Sequence, residues 1–288
     1  MIEGRPNTYK RKVSFPRGKF GSVFKYTLIT LAIIGLFLYG LAYPKSELFG
    51  KVIFRLNYPG KVAALTFDDG PNGEYTEQVL DILEREDIKG TFFLIGKNVE
   101  AYPEIASQIV AEGHCVGNHS YTHPWLLPFE TKKGIAAEIS KAERAIYNAT
   151  GVHPRLFRPP HGFRTPWMLS TLHQMGYRVI MWDDMTTDYM AGSKPKGIAR
   201  HIISHCKPGS IIVLHDGLNL DHGANRENTI KALMVIIKEL KKEGYRFVTL
   251  EGLEQAQSSG GQGKPHREPT KNWNLTSKDE SLYSGGLR

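Results

Sequence analysis

Asp68 and Asp69 stand side by side where the apolar run 62–67 gives way to Gly70-Pro71. A short apolar run closed by such a turn signal reads as a buried strand. Two like charges this close push one pKa up unless a cation holds them. The pair suits a division in which one carboxylate binds a metal and the other stays free as a base; taken alone, a turn with two solvated acids is the simpler reading. His119 and His123 supply further candidate ligands. On a helical turn, positions i and i+4 share a face, so both rings reach one ion. With Asp69 they give two nitrogens and one carboxylate oxygen, a common catalytic zinc set with positions open for water and substrate. A surface histidine pair is the plainer alternative for the spacing by itself. Zn2+ is the first expectation, and Co2+ or Mn2+ also suits these donors.

A divalent ion lowers the pKa of water toward neutrality and polarises a carbonyl oxygen. Asp68 beside it would then take the proton from that water. Arg158 would pair with Asp68, keeping it ionised and oriented. His215, after the apolar run 211–214, would serve as general acid, with Asp188 holding and charging the imidazole. The plainer alternatives are a structural ion pair for Arg158 and a satisfied core histidine for His215. Other chemistries lack their signatures. There is no G-x-S-x-G elbow, and Ser120 lies inside the histidine pair. Neither a phosphate-binding G-x-x-x-x-G-K-[ST] loop nor a G-x-G-x-x-G turn occurs.

The elements that must position these groups alternate along the chain. Strand-like runs fall at 62–67, 90–95, 114–118, 156–158, 178–183, 210–215 and 246–249. Helical patterns lie between them at 75–86, 103–112, 132–148, 166–175, 196–205 and 229–243. Such alternation predicts an α/β fold with a parallel sheet or barrel of βα units. Asp68-Asp69, Asn118-His119, Arg158, Asp183-Asp184 and His215-Asp216 each fall where an apolar run stops. Chemistry in barrels and open parallel sheets sits at the C-terminal ends of strands, so five such ends point to one shared site.

The 288 residues carry 37 basic and 29 acidic side chains, a net charge of +8. Most of that excess lies in a leader, 1–25, where Arg5, Lys10, Arg11, Lys12, Arg17, Lys19 and Lys25 oppose Glu3 alone. Only about +2 is left for the rest of the chain, which argues against a nucleic-acid-binding face. Residues 26–43 follow without a charge and begin and end on tyrosine. As a helix they span about 27 Å, close to the hydrocarbon thickness of a bilayer. The basic flank predicts a transmembrane signal anchor with the N-terminus cytoplasmic and the remainder outside. Secretion after signal cleavage is the alternative, but Leu41-Ala42-Tyr43-Pro44 is a poor cleavage site. Residues 44–60 read as a linker, 61–254 as the catalytic domain, and 255–288 as a disordered tail rich in Ser, Gly, Gln, Lys and Pro. Cys115 and Cys206 are too few and too far apart for a thiolate zinc site. Two buried thiols are expected, a single disulfide being the alternative in an oxidising compartment.

The stretches TFDDGP, GTFFLIG, GHCVGNHSYTHP, FRPPHG and VLHDG, in this order, resemble the successive motifs of the polysaccharide deacetylases, the family-four carbohydrate esterases. The resemblance covers roughly residues 61–253. It implies a deformed (β/α)7-type barrel and metal-dependent removal of acetyl groups from N-acetylated, sometimes O-acetylated, sugars. It also implies Asp68 as base, Asp69, His119 and His123 as ligands, Arg158 as the residue orienting Asp68, and His215 as the acid that protonates the departing amine. The backbone N–H of His161 would help stabilise the oxyanion, and Pro160, Trp182 and Tyr189 would line the substrate. Three departures stand out: His161 where Tyr is usual, Met185 and Tyr189 in place of a frequent acid and a Trp, and Val213 for Leu. The expected function is an anchored hydrolase acting on an extracytoplasmic glycan, with peptidoglycan N-acetylglucosamine first and chitin-like oligomers or an exopolysaccharide next. An O-acetyl polysaccharide esterase and a non-catalytic glycan-binding protein on the same scaffold are the rivals.

Overall fold

The computed structural model describes residues 17–190 and 192–251; most of the basic leader and the whole of the expected tail lie outside them. A long helix, α1 (Arg17–Ala42), comes first. Its stretch Ser22–Ala42 has a mean hydropathy of 1.8 and is long and apolar enough to cross a membrane. The side chains of 22–36 are exposed.

Strands and helices then alternate as expected: β1 (Val62–Gly70), α2 (Gly73–Arg85), β2 (Thr91–Leu94), α3 (Gly96–Ala101), α4 (Pro103–Ala111), β3 (Cys115–Asn118), α5 (Lys132–Thr150), β4 (Leu156–Phe157), α6 (Pro166–Gln174), β5 (Arg178–Val179), β6 (Asp184–Met185), α7 (Pro195–His205), β7 (Ser210–His215), α8 (Glu227–Lys242) and β8 (Arg246–Phe247). The strands form one curled sheet in the order β5-β4-β3-β2-β1-β7-β6, with β8 on the first residues of β1. Every pairing is parallel. Every residue of β1 is buried, because helices cover the sheet and leave no polar face to alternate with. The helices are amphipathic at helical spacing. α2 buries Val79, Leu80, Ile82 and Leu83, and α8 buries Ile230, Leu233, Ile236, Ile237 and Leu240. Thr131 and Thr165 cap α5 and α6, accepting hydrogen bonds from the N–H groups of Gly134 and Met168.

Two local features differ from the sequence expectation. Residues 51–56, within the expected linker, are built into the barrel. Ile53 bridges to Ile180 and Arg55 to Ser210, so this segment reaches from the β5 side to β7. Val52 and Leu56 are buried. The expected strand 178–183 is regular only at 178–179, as β5, and β6 begins one residue beyond its expected end, at Asp184. Asp183 is the cause: its carboxylate accepts from the backbone N–H of Ile211 and from Ser210 Oγ, and it pairs with Arg55. A side chain thus takes a hydrogen bond that the strand ladder would otherwise supply.

Candidate active site

Successive side chains on a strand point to opposite faces, so two adjacent strand carboxylates cannot normally share a site. β1 solves this with a bulge. Asp68 pairs with Phe93 and Gly70 with Leu94, leaving Asp69 as the extra residue, in the left-handed region at φ 73°. Both aspartates are buried at the mouth of one cavity of about 300 Å3. A cavity of about 380 Å3 between α3, α4 and α5 is lined by residues such as Val99, Pro103 and Asn148 and by none of the expected site residues.

Asp69 faces the two histidines. Its Oδ1 lies 3.5 Å from His119 Nε2 and 3.3 Å from His123 Nε2, and the two Nε2 atoms are 3.2 Å apart. Donors about 2.0–2.1 Å from a tetrahedral ion stand about 3.3 Å from one another, so the set fits such an ion. Asp69 Oδ1 is buried with no hydrogen-bond partner among the described residues. That orphaned oxygen is the strongest structural sign that the site is shaped for a cation. The other carboxylate oxygen, Oδ2, accepts from the backbone N–H of Asn219. His119 Nδ1–H donates to the carbonyl of Arg158 at 2.7 Å, which fixes the tautomer with its Nε2 lone pair toward Asp69. His123 Nδ1 has no such partner among the described residues. Burial holds the His123 imidazole down at about 3, against the opposing pull of Asp69. Burial would raise Asp69, but the neighbouring imidazoles, His123 and His119 foremost, keep it well below the usual carboxylate range. An anionic Asp69 and a neutral His123 are the protonation states a ligand set needs.

The histidine pair does not sit on a helical turn, as its spacing suggested. Residues 119–123 form a loop with Ser120 at φ 67° and His123 at φ 55°. Asn118 Oδ1 accepts from Ser120 N–H, and Ser120 Oγ accepts from His123 N–H. Glu138 Oε1 on α5 takes the N–H groups of Tyr121 and Thr122. These side-chain acceptors replace the helical hydrogen bonds and bring both rings to one point. Asn98 acts similarly on β1, donating to the carbonyls of Asp69 and Asn219. No motif in the sequence marked Asn98, Glu138 or Asn219. Gly217 permits the close approach, since a Cβ there would lie 2.3 Å from the Asp69 carbonyl oxygen.

Asp68 is held differently. Arg158, fully buried, donates to its Oδ1 at 2.6 Å and to Thr66 Oγ1 at 2.8 Å. Oδ2 faces the ligand cluster, 4.0 Å from His119 Nε2. Across the β1–β7 ladder, Asp68 is in direct register with His215. Asp188 grips that histidine twice, taking its backbone N–H at 2.8 Å and its ring Nδ1–H at 3.0 Å. Thr229 donates to the same carboxylate. Nε2 is left as the ring nitrogen free to serve the cavity. Burial lowers the His215 pKa, but the charge and hydrogen bond of Asp188, then Asp69 and Asp68, raise it to about 9. It is an imidazolium at neutral pH.

His161, Trp182 and Tyr189 line the cavity, as does Met185. Pro160 is buried in the 160–162 turn, and the lining proline is its neighbour Pro159. His161, at φ 57°, packs its ring edge-to-face on His123 and stacks flat on Trp125, with centroids 3.5 Å apart. Trp125, unremarked in the sequence reading, is therefore part of the site wall. Asp183 and Asp184 are not. Asp183 holds Arg55 and β7, and Asp184 faces His201 at 3.2 Å. Asp216 is buried under β1, where Thr76 donates to it. Cys115 and Cys206 are free thiols.

Residues 55–180 match the family model described as polysaccharide deacetylase. Over 205 residues the chain is 35% identical to a peptidoglycan-N-acetylglucosamine deacetylase of Bacillus cereus, covering 71% of this chain and 93% of that protein. It is 33% identical to the peptidoglycan-N-acetylmuramic acid deacetylase PdaA of Bacillus subtilis, covering 68% and 73%. Its fold matches the crystal structure of BA3943 from Bacillus anthracis, a CE4 family pseudoenzyme, at TM-score 0.64 and 30% identity over 70% of this chain and 68% of that one. With the barrel, the acid-rich strand ends and the converging donor set in agreement, the chain belongs to the polysaccharide deacetylase family.

Proposed function

We propose that this protein is an N-acetyl hydrolase of the cell envelope, anchored by α1 with its barrel outside the membrane, and that its substrate is the N-acetylglucosamine of peptidoglycan. The carrying observation is the convergence of Asp69, His119 and His123 in the cavity that Asp68 and His215, register partners on β1 and β7, also line. The three donors would hold a divalent ion, Zn2+ first, and such an ion makes water more acidic and polarises the acetyl carbonyl.

The chain's own groups supply the rest. Asp68, its Oδ1 fixed by Arg158, presents Oδ2 to take a proton from the attacking water. His161 N–H is the proposed donor to the oxyanion. His215, kept protonated by Asp188, donates from Nε2 to the sugar nitrogen as the C–N bond breaks. An amine leaves only once protonated, so a preformed imidazolium beside the base suits an amide. Trp125, Trp182 and Tyr189 give the sugar an apolar wall. Since the base, acid and ligand positions are all filled by groups able to act, the reading is an active enzyme and not a glycan-binding scaffold. Acetate release from N-acetylated peptidoglycan by the purified full chain, with and without a chelator, tests this. Release from O-acetylated glycan alone would transfer the assignment to an esterase.

A further inference from the structure

Three large apolar side chains crowd one loop beside the site: Trp125 is 62% exposed, Leu126 68% and Phe129 51%. Between them Leu127 and Pro128 are buried and anchor the turn. Adjacent exposed apolar side chains on a soluble surface mark a contact site. The position of the loop says what it contacts.

Arg164 is fully buried and clasps the end of α1. Its backbone N–H donates to the Leu41 carbonyl at 3.1 Å, and its guanidinium to the carbonyls of Tyr43, Pro44 and Ser46. The backbone N–H thus satisfies an orphan carbonyl in the last turn of α1, and the guanidinium ties down the residues that follow the helix. Phe49 packs on Phe37 and against Gly40, where a Cβ would lie 2.6 Å from its ring. The membrane helix is therefore fixed to the barrel and is not a loose tether. The next residue, Thr165, donates from Oγ1 to the Pro128 carbonyl at 2.7 Å. Neighbouring residues thus hold the helix end and the apolar loop, whose carbonyls at Leu41 and Pro128 lie within roughly 13 Å of each other. Tyr39 and Tyr43, stacked and exposed at the end of α1, mark the level of the interface.

We propose that the 124–129 loop is a second membrane contact, resting in the outer leaflet of the bilayer that α1 spans, so that the mouth of the active site opens at the membrane surface. The inference rests on the anchored reading of α1. Tryptophan favours the lipid–water interface, and the exposed Lys132 and Lys133 that follow match anionic headgroups. Since Trp125 also lines the cavity, the glycan admitted there is the membrane-proximal one.

The full chain in vesicles of phosphatidylcholine and phosphatidylglycerol, with or without spin-labelled lipid, tests this. On a Cys206→Ser background, an environment-sensitive fluorophore is placed at Leu126→Cys, at Leu31→Cys within α1, and at Lys238→Cys on α8. Several-fold stronger lipid quenching at 126 and 31 than at 238 is expected. Quenching at 31 without quenching at 126 overturns the docking and leaves the anchor standing; no quenching at 31 overturns both. The Leu126→Ser/Phe129→Ser variant should keep its turnover of a soluble acetylated oligosaccharide and lose several-fold on a vesicle-embedded acetylated glycolipid. Equal turnover on both refutes the proposal, and a loss on the soluble substrate with 126 unquenched refutes it too and identifies a glycan platform.

Discussion

Replacing Asp188 by Asn removes one negative charge and keeps the shape of the side chain. In the native protein its carboxylate takes both His215 N–H groups, and its charge and hydrogen bond are the largest influences raising that imidazole to about 9. Without them, burial disfavours the charged ring while Asp69 and Asp68 still favour it, so its pKa falls toward the ordinary 6.5. At pH 7.5 the protonated fraction then drops from about 97% to about 9%, a loss of about tenfold in competent acid. The sign follows from the role: an acid with a raised pKa is present below that value and is lost as pH rises through it. The alkaline limb of kcat/KM should therefore move toward acid in Asp188→Asn, by up to about two units, with much of the activity recovered near pH 6. Parent and variant would carry the same cation, so the shift of the alkaline limb between them is the quantity to measure, by acetate release from pH 5.5 to 10. An alkaline limb that stays where it was, or a loss equal at every pH, would refute His215 as the acid.

Asp68→Asn should retain the metal and lose turnover, whereas His119→Ala should lose metal by elemental analysis; an Asp68→Asn protein as active as the parent would remove Asp68 as the base. Arg158→Met leaves the Asp68 carboxylate buried without its cation, which costs about 3–5 kcal/mol and should show as a lower urea midpoint. Gly217→Ala forces a Cβ against the Asp69 carbonyl; it should cost about 1–3 kcal/mol in urea unfolding and weaken metal affinity in a chelator competition.

The strands and helices were legible because β1 and β7 are unbroken apolar runs and α2 and α8 carry clear helical spacing. The candidate residues Asp68, Asp69, His119, Arg158 and His215 stood out because each falls where an apolar run stops. The local shapes that join them were not legible. Adjacent carboxylates on an ideal strand diverge, and only the bulge at Asp69 lets both face one cavity. The histidine spacing fits a helical turn as well as it fits a loop, and Asn118, Ser120 and Glu138 decide for the loop through contacts distant in sequence. Asp183 and Asp184 show the opposite error. They too end an apolar run, yet their partners are Arg55 and His201, neither of which lines the site cavity. A polar residue at a strand end is a candidate, and its partners decide its role.

The central claim is that Asp69, His119 and His123 hold an ion with which Asp68 and His215 remove an N-acetyl group. Its most direct test is acetate release from N-acetylglucosamine-containing peptidoglycan by the full chain, counted against free amines formed. Matched acetate and amine, abolished by chelation and restored by Zn2+, are expected. Metal-loaded protein that frees no acetate from any acetylated glycan would contradict it.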